Sequence, residues 1–120
     1  MADQSFGGRA RVERHLRRAE GALTTVTGGK AVCTIGWTAQ ARPAVKYREG
    51  AVSALAELRR HLRRDGIPDT ITDLIQALDR LQARWRTRTA DMAAAGAEWE
   101  AYFRGGLDAL DALACELRSS

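Results

Sequence analysis

The residues that could do chemistry in this 120-residue chain are few and poorly placed for it. The two histidines, His15 and His61, fall in different predicted helices, and neither is expected to have a carboxylate, cysteine or second histidine at metal-ligand spacing. Cys33 and Cys115 are far apart and form no C-x-x-C pair, so two free, at least partly buried thiols are expected. The run Thr27-Gly28-Gly29-Lys30 fails as a phosphate loop: Thr24 stands where the first glycine belongs, and Ala31 follows the lysine where a Ser or Thr would hold magnesium. Glu98 and Glu100 lie two apart on a predicted helix, point in different directions and cannot share a substrate. No catalytic, metal or cofactor site is expected.

Arg9 and His15 have the loose arginine-to-histidine spacing that is similar to that of some helical ribonucleases, but an arginine-rich helix produces it readily. Arginine is the dominant functional group. Of 19 Lys and Arg only Lys30 and Lys46 are lysines, and the planar guanidinium suits forked contacts with phosphate or carboxylate. The charge is uneven. Residues 1–66 hold 13 Lys/Arg against 6 Asp/Glu, and residues 67–120 hold 6 against 9, so a basic front half meets either a polyanion or an acidic surface such as the back half. The first residues carry Asp3 and no apolar run, and no stretch is long and apolar enough to span a membrane, which sets a cytoplasmic expectation.

The elements that position these arginines are helices. Val12, Leu16, Ala19, Leu23 and Val26 make one stripe of a helix over 9–27, with Arg11, Arg14, Arg17 and Arg18 on the opposite arc. Gly28-Gly29 should end it. Ala31, Cys33, Ile35 and Trp37 alternate as a short extended segment, which could instead be the second strand of a hairpin about Gly28-Gly29, with Trp37 tucked against the helices. Pro43 suits the first position of a helix over 43–65. Tyr47, Ala51, Leu55, Leu58 and Leu62 line its inner face, and Arg59, Arg60, Arg63 and Arg64 crowd its last turns, where they also complement the helix dipole. Asp65-Gly66-Ile67-Pro68-Asp69-Thr70 then combines a glycine stop with a capping box of Thr70 and Asp73, so the next helix should return antiparallel.

From Thr70 onward apolar residues recur every seventh place: Ile71, Leu78, Trp85, Met92 and Trp99, with Leu74, Leu81, Ala95 and Tyr102 three positions further on. One helix from Thr70 to Leu117 would be about 70 Å long, too long for a compact domain whose radius of gyration would be about 14 Å. A break is expected at Gly105-Gly106, with Gly96 the second choice, giving helices over 70–104 and 107–118. Arg80, Arg84 and Arg88 form a ridge on the third helix, with Arg86 beside it.

The expected architecture is all-α: a single antiparallel bundle of about four helices with a short extended segment between the first two. The leading functional expectation is a non-enzymatic accessory protein that binds RNA or DNA through the phosphate backbone, using Arg11, Arg14, Arg17, Arg18, Arg59, Arg60, Arg63 and Arg64. The alternative is a scaffold that self-associates or docks a partner helix through Trp85, Met92 and Trp99.

Overall fold

The computed structural model describes residues 7–28 and 41–119. These form four helices: α1 (Gly8–Thr27), α2 (Ala41–Arg64), α3 (Ile71–Asp91) and α4 (Ala97–Arg118). No strand occurs among the described residues. The expected extended segment, with Cys33 and Trp37, lies outside them.

The local stop and start signals act as the sequence implies. Gly28 takes a left-handed conformation and its N–H donates to the carbonyls of Thr24 and Thr25, closing α1. Gly66 is left-handed too, and Ile67 N–H reaches back to the Leu62 carbonyl at 3.1 Å, so α2 ends in a Schellman-type turn. Thr70 caps α3 by accepting from Asp73 N–H at 3.1 Å. α2 begins two residues before Pro43, which stays inside the first turn where an amide proton has no helical partner.

The expected break at Gly105-Gly106 is not where the chain turns. α3 ends at Asp91, Met92 to Gly96 make the turn, and Gly96 adopts a φ of 115°. Ala93 to Ala95 carry almost no side chain to bury, so turning there sacrifices little packing. It also lets α4 fold back and seal Leu107, Leu110, Leu113 and Leu117 in the core.

Gly105 and Gly106 instead sit inside α4 as contact points. A Cβ on Gly105 would collide with the Tyr47 carbonyl, one on Gly50 with the Tyr102 carbonyl, and one on Gly106 with the Trp85 ring. α2 and α4 therefore pack main chain against main chain. They run parallel, since Arg42 meets Glu98 near their starts and Tyr47 meets Asp108 further along. α1 and α3 run antiparallel to this pair: Glu13 meets Arg59 and Arg9 meets the Leu62 carbonyl, while Gln82 meets Asp111 and Asp79 meets Arg118. Consecutive helices are antiparallel, as expected, but the most intimate contact joins two that are not consecutive.

The core is built from Val12, Leu16, Leu55, Leu58, Leu62, Leu74, Leu78, Leu81, Trp85 and the four leucines of α4. The α1 stripe is buried only in its first half, and Val26 at its far end is exposed. Cys115, expected at least partly buried, is an exposed free thiol. The radius of gyration is 15.2 Å, which the turn at Met92–Gly96 makes possible.

Candidate nucleic-acid interface

A helix turns about 100° per residue, so arginines adjacent in sequence need not share a surface. In the last turns of α2 they are divided. Arg59 and Arg63 face α1 and converge on Glu13, at 3.4 and 3.9 Å. Arg60 faces the other way, into a cleft between α2, α3 and α4. Arg64 donates to His61 Nδ1 at 2.9 Å and lies 3.4 Å from Asp65, and His61 and Asp65 both line the groove between α2 and α3.

The α1 arginines are divided as well. Arg14 pairs with Glu116 at 3.5 Å, and Glu116 also bonds His15 Nε2 at 3.2 Å. The His15 hydrogen bond, with the charges of His15, Arg14 and Arg11, holds the Glu116 carboxyl below its usual range against a smaller effect of burial. Arg17 and Arg18 are exposed, and Arg18 borders a cleft with Arg48 between α1, α2 and α4. Arg9 anchors the turn after α2: its guanidinium donates to the Ile67 carbonyl at 2.6 Å and its amide to Asp69 at 2.8 Å. It is therefore committed to structure rather than to a partnership with His15.

Across the α2–α3 seam the structure assembles what the front-half charge count did not isolate. Arg80 and Arg84 line the groove with His61 and Asp65, and Arg60 and Arg88 line the adjoining cleft with Glu57. Glu57 and His61 link the two, 3.6 Å apart. The Arg80–Arg84–Arg88 ridge thus meets Arg60 and Arg64 along one seam, whereas Arg86 turns aside to Asp111 at 3.8 Å. Within 4 Å of Arg60, Arg80 and Arg84 there is no carboxylate among the described residues. Contrary to the expectation that neither histidine has a carboxylate at ligand spacing, His61 has Glu57 and Asp65 one turn to either side, at 3.6 and 3.8 Å. No group able to hold a metal ion occurs among the described residues.

The cleft at the end of this seam encloses about 590 Å³ and is walled by Trp85, Trp99, Tyr102 and Phe103. Trp85 is core: it is 2% exposed and donates through Nε1 to Glu57 at 3.1 Å. Arg88 grips the same carboxylate at 2.9 and 3.3 Å. Burial alone would raise the Glu57 pKa, but the bonds from Arg88, Trp85 and His61 outweigh it and hold the carboxyl below its usual range.

No known protein family, curated protein or solved structure matches this chain.

The fold separates Trp85, Met92 and Trp99, the residues of the expected partner seam. The seven-residue recurrence crosses from α3 to α4 through a turn, so the three residues form no continuous stripe, although Trp85 and Trp99 line one cleft. Trp85 is sealed in the core, Met92 caps α3 half-buried, and Trp99 on α4 is 43% exposed. Trp99 stands edge to face with Tyr102, centroids 5.7 Å apart, and Lys46 Nζ lies 5.3 Å from its ring centre. Lys46, Tyr102 and Phe103 were not singled out as site residues. The spacing Trp99, Tyr102, Phe103 does mark one helical face, but only the parallel packing of α2 against α4 brings Lys46 to it.

Proposed function

We propose that this chain binds nucleic acid through the phosphate backbone without catalysing a reaction, and that the α2–α3 seam is the principal contact surface. The observation that carries this is the state of Arg60, Arg80 and Arg84: exposed, on one seam, and beyond ion-pairing distance of every described carboxylate. An arginine already paired to a carboxylate must exchange that partner for a phosphate, whereas one without such a partner gains the phosphate contact outright. Arg64 and Arg88 stand at the two ends of the seam but contribute less, because Asp65 and Glu57 offset them. Arg17 and Arg18 supply a second, smaller basic patch on α1. Arg59 and Arg63 contribute less, because Glu13 offsets them.

Of the three residues of the partner-docking alternative, Trp99 is exposed, Met92 half-buried and Trp85 buried, which makes a small docking surface.

The test is fluorescence anisotropy of labelled single-stranded RNA and duplex DNA across a salt series. Neutralising Arg60, Arg80 and Arg84 together with glutamine should weaken binding and flatten the slope of log affinity against log salt by about 2 to 3. The Arg59→Gln, Arg63→Gln double variant should change the slope by less. Absence of binding at low salt by the wild-type protein would overturn the proposal.

A further inference from the structure

We infer that the aromatic cleft beside Trp99 stacks an unpaired base, so that single-stranded nucleic acid is the preferred ligand over duplex; this rests on the backbone-binding function proposed above. Three observations converge. First, Trp99 is 43% exposed at a cleft that Trp85, Tyr102 and Phe103 line on one side and Val52, Ser53 and Ala56 of α2 on another, which leaves an indole accessible beside other aromatic rings. Trp85 is fixed there by Glu57 and by Phe103, its ring centroid 5.5 Å away.

Second, cations stand at the cleft. Arg60, without a carboxylate partner among the described residues, lines the wall toward the α2–α3 groove, while Lys46 over Trp99 also meets Glu49 at 3.5 Å and Arg88 on the wall is held by Glu57. The one carboxylate inside, Glu57, already accepts bonds from Trp85 and Arg88. Its charge is largely compensated, so it does not bar a phosphate from the rim.

Third, Glu57 of this cleft lies 3.6 Å from His61 of the groove that carries Arg80 and Arg84, so the two neighbour each other across α2 and α3. A strand whose phosphates follow the arginines would place a base at Trp99. Stacking is tolerant of sequence because every base presents a π-face, and it requires a base free of its complement. A duplex can meet the arginines but cannot offer the base.

The experiment uses the full chain with labelled oligothymidylate of about 20 nucleotides and a duplex of the same length, titrated at matched salt, together with tryptophan emission. The wild-type protein should bind the single strand about tenfold or more tightly than the duplex, with quenching of tryptophan emission by oligothymidylate. Trp99→Leu should remove most of that preference and quenching while leaving duplex affinity and its salt slope unchanged. Trp99→Phe, which keeps a ring, should retain much of the preference, and helicity measured by circular dichroism verifies that both variants fold. Equal affinity of the wild type for the two ligands, or a preference that survives in Trp99→Leu, overturns the stacking inference and leaves backbone binding standing. Binding of neither ligand overturns both. A wild-type dimer that Trp99→Leu dissociates, with no single-strand preference, assigns Trp99 to self-association and overturns the inference.

Discussion

Gly105 lies so close to Tyr47 that its backbone occupies the position a side chain would need, with the Tyr47 carbonyl where a Cβ would stand. The reciprocal contact, Gly50 against the Tyr102 carbonyl, makes α2 and α4 a pair in direct main-chain contact. Glycine in a helix interior normally costs about 1 kcal/mol relative to alanine, so glycines kept at such positions point to a packing need that exceeds it.

That contact reverses the usual outcome of a glycine-to-alanine change. Gly50→Ala and Gly105→Ala should each destabilise the protein by about 1 to 3 kcal/mol, because the clash is with main chain that can yield only by separating the helices. Gly21→Ala on α1 meets nothing within 4 Å and should stabilise by about 0.5 to 1 kcal/mol. Urea midpoints at constant m-value read both effects, and stabilisation by Gly105→Ala would show that the helices do not touch there.

Glu57 supplies a pH signature. Its carboxyl is held low by Arg88, Trp85 and His61 although burial pushes the other way. A carboxyl lowered on folding adds stability above its unfolded pKa of about 4.3 and loses it as pH falls through the folded value. Glu57→Gln should therefore be less stable than wild type at neutral pH, by about 1 to 2 kcal/mol given that Arg88 is partly solvated. The gap should close on acidification below about pH 4, and chemical denaturation at several pH values measures it.

Tyr47 supplies the opposite sign. Its hydroxyl donates to Asp108 at 2.6 Å, and that bond, followed by burial and the Asp108 charge, raises the tyrosine pKa against the opposing charges of Arg48 and Arg104. The neutral form is favoured by folding, so its contribution is present below the unfolded pKa of about 10 and is lost as pH rises through the folded value. Asp108→Asn should move one tyrosine ionisation to lower pH in an ultraviolet absorbance titration. An unchanged titration would mean that the bond does not form in solution.

The sequence by itself determined the helical class, the apolar face of α2, the ends of α1 and α2 and the start of α3. These signals are local. A left-handed glycine at Gly28 or Gly66 and the Thr70–Asp73 cap act on neighbours within one turn, and apolar periodicity is a property of a single helix. Tertiary structure alone decided where the long apolar recurrence breaks. A glycine pair such as Gly105-Gly106 serves equally well as a hinge or as a contact point, and the choice depends on Tyr47 and Trp85, which lie elsewhere in the chain.

The same reasoning separates the arginines. Their number and positions were legible, but which of them carry a charge available to a ligand depends on carboxylates brought in from other helices, Glu13 to Arg59 and Glu116 to Arg14. Trp85 and Trp99 looked equivalent by spacing. Folding buries one against Glu57 and leaves the other exposed beside Lys46, because the turn at Met92–Gly96 puts them on different helices, and no periodicity within a single segment encodes that turn.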